Sequence, residues 1–187
     1  MKSIIIGIDP GPTRSAIAVM ERGWLVAAAW RENNHALGYL EGLIMHSDAA
    51  AVIIEQCKSY GHIVGDPLLQ TVRWAGRFEQ CILDVTSGCR RSVQWAPFST
   101  VASHHTHHAR NKTANVRAAI IAQYDTPRDC ATKATGKAAC HRCRLGCDLL
   151  LIEKQRKKGC AKKDDPRDHI WDAFALALYA RDEAARG

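Results

Sequence analysis

Three carboxylates stand on apolar elements drawn from the start, middle and end of the chain. Asp9 follows the run Ile4, Ile5, Ile6 and Ile8, Glu55 closes Ala49–Glu55 (AAAVIIE), and Asp172 lies within Asp168–Ala180 (DHIWDAFALALYA). A carboxylate on such an element costs several kcal/mol unless it is solvated, paired or bound to a metal. Taken singly, Asp9 suits a turn-capping residue as well as a ligand, and Asp172 suits a solvated helix face. Brought together, the three would repel one another and need divalent cations to coexist. That requirement is met by two-metal phosphodiester hydrolysis, in which oxygen ligands hold two ions about 3.5–4 Å apart, one activating water and one stabilising the leaving oxygen. Oxygen donors favour Mg²⁺ or Mn²⁺. Asp168 and His169 stand four and three residues before Asp172, so either shares a helix face with it, and a histidine ligand would shift the preference toward Mn²⁺.

The elements that must position these acids are legible from pattern. Ile4–Ile8 is β-branched, short and bounded by turn residues, as a strand buried on both faces would be. Pro10, Gly11 and Pro12 then force a turn, and Ser15–Met20 (SAIAVM) resumes an extended pattern, giving a hairpin. Gly23–Trp30 reads as a third antiparallel strand. Ala36, Leu37, Leu40, Leu43 and Ile44 mark a helix with Asn33 or Asn34 available as its cap. Ala49–Glu55 is a fourth strand; Leu68, Leu69, Val72, Ala75, Phe78 and Ile82 mark a long amphipathic helix. Ser92–Ala96 is a fifth strand closed by Pro97. Ser103–Lys112 (SHHTHHARNK) reads as a solvated or phosphate-contacting loop, and Thr113–Tyr124 as a helix. The last helix has Asp165 to cap it and Pro166 in its first position. The expected fold class is α/β, a five-stranded mixed sheet whose first three strands are antiparallel, flanked by helices.

With 187 residues, 47% hydrophobic and 24% charged, the chain is long enough for one domain with a substantial core. The formal charge of +7 favours an anionic partner, of which nucleic acid is the commonest for a small basic domain. No stretch has the length of a membrane span or the form of a signal peptide, so the expectation is a cytoplasmic protein without membrane attachment. Its eight cysteines are then thiols or metal ligands rather than a disulfide framework. Five of them, Cys130, Cys140, Cys143, Cys147 and Cys160, fall in a Cys/Lys-rich insertion at about 126–164 within a single domain spanning 1–187. The Cys140-x2-Cys143 spacing is that of a zinc knuckle, so this segment is read either as a structural Zn²⁺ site or as a basic loop with incidental thiols. The five tryptophans are assigned to the core.

GIDPG around Asp9, VIIEQ around Glu55 and HIWDAFALALYA around Asp172 resemble, in order, spacing and element type, the RuvC-type Holliday-junction resolvases of the RNase H-like superfamily. GIDPGPTRSA, the SYG after Glu55, WAGRF and ARNKTANVRAAI look like a phage and prophage branch of that group. The resemblance implies an RNase H-like nuclease that binds two Mg²⁺ or Mn²⁺ ions and cuts four-way DNA junctions as a homodimer. It makes Asp9, Glu55, His169 and Asp172 both catalytic residues and metal ligands, His169 taking the fourth place with Asp168 as its runner-up. It places a basic residue, Lys112, near the scissile phosphate, flanked by Arg110 and Arg117. Lys58 and Tyr60 fall where the resolvases probe the junction.

Some positions depart from that pattern. The second glycine after the DPG turn is replaced by Ser15 and Ala16, a second lysine before Lys112 is replaced by His104, His105, His107 and His108, and the junction-probing aromatic is replaced by Lys58, with Tyr60 nearest. Two other activities therefore stand beside junction resolution: a general nuclease acting on flaps, branched DNA or RNA–DNA hybrids, and a non-catalytic nucleic-acid-binding module. An actin-like ATPase or sugar-kinase reading fails, because that architecture needs two such domains and a second phosphate loop.

Overall fold

The computed structural model describes residues 4–47, 49–58, 65–86, 92–108, 112–124 and 166–186. The insertion at 126–164, its five cysteines, Asp165, Tyr60 and Arg110 lie outside them. Five strands run β1 (Ile4–Asp9), β2 (Arg14–Glu21), β3 (Trp24–Glu32), β4 (Ala49–Glu55) and β5 (Ser92–Ala96), and form one sheet in the order β3-β2-β1-β4-β5. The first three are antiparallel neighbours, whereas β4 runs parallel to both β1 and β5. This is the mixed sheet that the sequence predicts. Helices α1 (Asn33–Met45), α2 (Asp66–Val85), α3 (Phe98–Thr106), α4 (Thr113–Tyr124) and α5 (Pro166–Ala184) complete the described elements.

Alternation along the strands divides the core into two layers. Ile6, Ile8, Ile17, Val19, Val52 and Ile54 pack against Ala36, Leu40 and Ile44 of α1 and Ala75, Phe78 and Ile82 of α2. Ile5, Ala16, Ala18, Met20 and Ile53 face α3, α4 and the apolar run Ile170–Ala180 of α5. Asp9 and Glu55 continue the parity of Ile5 and Ile53, so both carboxylates belong to the α5 side. The β1/β4 register pairs Ile8 with Ile54, which sets Asp9 and Glu55 side by side at the carboxyl ends of two parallel strands.

Two glycines let the site close. A Cβ on Gly7 would lie 2.0 Å from the Ala173 carbonyl oxygen and 2.9 Å from the Ala177 nitrogen, so α5 reaches β1 only because that position has no side chain. A Cβ on Gly11 would lie 2.2 Å from the Arg14 carbonyl oxygen, so the turn after Asp9 needs glycine for the same reason.

Several expectations are corrected. The N-cap position of α1 is Glu32, without a side-chain cap, and Asn33 is used elsewhere. Its Oδ1 accepts from Ser15 Oγ at 2.6 Å, its Nδ2 donates to the Gly11 carbonyl at 3.0 Å, and its backbone N–H donates to Thr13. Gly11 N–H in turn donates to Ser15 Oγ at 3.3 Å. The DPG turn is thus held by a buried polar network that satisfies backbone groups a loop would otherwise leave to water. On α2, Leu69 and Val72 face outward rather than joining the core. The histidine stretch is not simply a solvated loop: His104 and His105 lie in α3, where His104 bonds Asp182 at 3.0 Å and buried His105 bonds the Ala175 carbonyl at 3.0 Å. Of the tryptophans, Trp171 is fully buried, while Trp95 is 37% exposed and donates its N–H to Glu79 at 2.9 Å.

Candidate metal centre

Asp9, Glu55, His169 and Asp172 line one cleft of about 410 Å³, together with Pro10, Gln56, Cys57, Lys58, Leu68, Thr71, Phe98 and Thr113. The strands deliver the first two from adjacent ends. The first two turns of α5 deliver His169 and Asp172, three residues apart on one helix face. Asp168, the alternative to His169, is exposed and is not part of the cleft wall.

Inside the cleft, His169 Nδ1 lies 2.8 Å from Asp9 Oδ2, and that bond, against the opposing effect of burial, raises the histidine above its ordinary pKa. Glu55 is pushed well above the usual carboxylate range, first by burial, then by the charge of Asp9 and a hydrogen bond with it, then by Asp172. Asp172 is pushed up for the same reasons, burial first and Asp9 next, while its bond from Thr113 Oγ1 at 3.2 Å and the nearby His169 pull it back. The Cys57 thiol is raised to about 11 by burial and by Glu55 and Asp9, so it is a neutral wall residue at physiological pH.

Glu55 and Asp172, which burial and the neighbouring Asp9 charge push toward protonation, are the kind of carboxylates that a bound cation would relieve. One atom is left over: Asp172 Oδ1 is buried with no hydrogen-bond partner among the described residues. Such an atom is costly to bury, and its cost is removed by a ligand that accepts its lone pairs. The donor set of three carboxylates and an imidazole fits a hard divalent ion. Among the described residues, no three His, Cys, Asp or Glu side chains are preassembled to hold an ion. His169 is bonded through Nδ1 to Asp9, and Asp172 through Oδ2 to Thr113.

Comparison with known proteins bears on the fold. Two solved structures from Thermus thermophilus match over almost their whole length. RuvC itself has a TM-score of 0.53 and 13% identity, with 98% of this chain and 96% of that one covered. RuvC in complex with a Holliday junction substrate has a TM-score of 0.54 and 14% identity, covering 99% and 96%. The fold is that of RuvC. No family model and no curated protein matches the sequence. The RuvC fold is therefore found here at 13–14% sequence identity.

The other predicted site residues divide. Lys58 lines the cleft. Lys112 is exposed just before α4, where its carbonyl accepts the backbone N–H groups of Asn115 and Val116. It is not a wall residue, but it immediately precedes Thr113, which is. Arg117 lies over the Trp171 ring, 5.3 Å from its centroid. Thr113 itself was not foreseen, although its place at the start of a predicted helix, next to a basic residue, was visible. Trp30, whose ring stacks on His169 at an interplanar angle of 9°, left no local signal.

Proposed function

We propose that this chain is a divalent-metal-dependent endonuclease that resolves four-way DNA junctions. The observation that carries the reading is the meeting of Asp9, Glu55, His169 and Asp172 in one cleft at the carboxyl ends of two parallel strands. The RuvC fold supports it, as does the junction substrate held by one of the neighbours. Asp9, Glu55, Asp172 and His169 would hold two Mg²⁺ or Mn²⁺ ions, which when bound supply an activated water and charge stabilisation at the leaving oxygen.

The remaining groups act on the substrate or on the ligands. Thr113 holds one Asp172 oxygen and leaves the other without a partner among the described residues. Lys58, within the cleft, and Lys112, at its margin, offset phosphate charge as it develops, with Tyr60 and Arg110 as further nucleic-acid contacts. A net charge of +7 suits this polyanionic partner. Two symmetric cuts require two copies, and the outward apolar residues Leu69, Val72 and Leu83 of α2 offer a surface for a homodimer. No helix among the described residues is long and apolar enough to cross a membrane, in keeping with work on DNA in the cytoplasm of a cell or of a phage's bacterial host. Cys140, Cys143 and the neighbouring cysteines of a 126–164 insertion in this single-domain chain are candidates for a structural Zn²⁺ site.

Lys58, in place of a junction-probing aromatic residue, favours a second reading as a general nuclease on flaps or hybrids. Both are tested with a labelled synthetic junction, linear duplex, a flap and an RNA–DNA hybrid, in Mg²⁺ and in Mn²⁺, with wild type and Asp9→Asn. Paired symmetric nicks in the junction, lost in the variant, are expected. Cutting of the flap or hybrid in preference to the junction would establish the second reading, and junction binding without metal-dependent cutting would leave a binding module.

A further inference from the structure

Asp9, Ala16 and Trp30 occupy one row across the sheet, since Asp9 pairs with Ala16 on β2 and Ala16 with Trp30 on β3. Ala16 is fully buried on the α5 side, and Trp30 packs against the same layer. The small side chain at the centre of the row leaves a notch between a carboxylate and an indole. His169 engages both. Its Nδ1 meets Asp9 at 2.8 Å, and its ring lies parallel to Trp30 at 9°, with centroids 6.1 Å apart. The indole is held in turn: the Arg14 guanidinium carbon lies 4.6 Å from its centroid, and Arg14 Nη2 bonds Glu32 Oε1 at 3.2 Å. Arg14 and Glu32 are direct cross-strand partners, two residues along the ladder from the Ala16–Trp30 pair.

We propose that Trp30, clamped by Arg14, is a positioning residue that fixes the His169 ring for divalent-metal binding. The inference rests on the metal-dependent reading of the cleft. A single hydrogen bond at Nδ1 leaves an imidazole free to swing about the line joining nitrogen to oxygen, and a flat neighbour removes that freedom. With Nδ1 committed to Asp9, Nε2 is the nitrogen left for a metal. A ligating histidine usually donates its other N–H to a carboxylate or carbonyl, and loss of such an orienting partner costs about 10–100-fold in metal affinity. Trp30 acts through its shape and face, so phenylalanine replaces it in large part and leucine does not.

The test is Mn²⁺ binding by the full chain, followed by the electron paramagnetic resonance signal of the free ion, for wild type, Trp30→Phe, Trp30→Leu and Asp9→Asn. Trp30→Leu is expected to weaken binding about tenfold and Trp30→Phe to stay within about threefold of wild type. Unchanged affinity in Trp30→Leu, with Asp9→Asn defective, overturns the positioning role and leaves the metal site standing. Equal binding by wild type and Asp9→Asn overturns the metal reading and this inference with it. A measurement on the wild type covers the case in which Trp30→Leu does not fold. The indole ring current should move the His169 imidazole C–H resonances upfield, assigned by their loss in His169→Gln. Resonances at ordinary imidazole positions overturn the proposal.

Discussion

Replacing Glu55 with glutamine should stabilise the metal-free protein while removing its function. Glu55 sits beside Asp9 at adjacent strand ends, and its raised pKa comes from burial and from the Asp9 and Asp172 charges. Two unit charges about 5 Å apart, the spacing of neighbouring strands, repel by about 3 kcal/mol at an effective dielectric of about 20. Relaxation of the site and water in the cleft take up part of this, so the substitution recovers about 1–2 kcal/mol at pH 8. For a chain of this length that is a rise in Tm of about 2–8 °C. The glutamine amide can still donate to Asp9. Because the folded-state pKa is raised, the wild-type contribution is fully present below the unfolded pKa and is lost as pH rises through the folded value. The advantage of Glu55→Gln must therefore shrink toward pH 5. Saturating Mg²⁺ should narrow or reverse it at pH 8, since binding stabilises the wild type by mass action. Thermal melts in EDTA and in Mg²⁺ at both pH values decide this. A variant that is less stable than wild type in EDTA by the same margin at pH 5 and pH 8 would refute the electrostatic argument.

Two further substitutions probe how the ligands are held. Thr113→Val keeps the shape but removes the donor that pulls Asp172 down, so the Asp172 pKa rises further and protons compete longer with metal; Mn²⁺ titrations should show about tenfold weaker binding, with a larger deficit at pH 6.5 than at pH 8.5. Gly7→Ala drives a methyl group into the Ala173 carbonyl, which only a shift of α5 can relieve; denaturant melts should show a loss of about 2–4 kcal/mol, and Mn²⁺ affinity should fall because His169 and Asp172 travel with that helix.

The parts of the site readable from sequence were those whose signal is local. Asp9 and Glu55 are charges at the ends of β-branched runs, and Asp172 is a charge inside an apolar helix, so each contradicts its neighbourhood and announces a partner. Period-two and helical patterns similarly gave the five strands, the antiparallel opening and the last helix. What escaped depends on pairs far apart in the chain. Asn33 stands where a helix cap is the local expectation, yet the Gly11 carbonyl and the Ser15 hydroxyl compete for its amide and win. The polar composition around His104 and His105 hid α3, because the partners that bury them, Asp182 and the Ala175 carbonyl, belong to α5. Trp30 was assigned to the core with the other tryptophans, whereas its ring stacks on His169.

The direction of β4 is what turns these residues into one site. Had β4 run antiparallel to β1, Glu55 would lie at the opposite edge of the sheet from Asp9, with the same sequence pattern and no shared cleft. The parallel pairing instead brings two carboxyl ends to one edge, where a side chain can leave a buried strand for a solvent-reached crevice without losing the register behind it. The helix α5 must then cross that edge closely enough for its first two turns to close the set. Gly7 permits the approach from below, and Ala16 leaves room for the imidazole between Asp9 and Trp30. The smallest residues in the two central strands therefore carry as much of the site's geometry as the charged ones, and substitutions that enlarge them should lower metal affinity without touching a ligand.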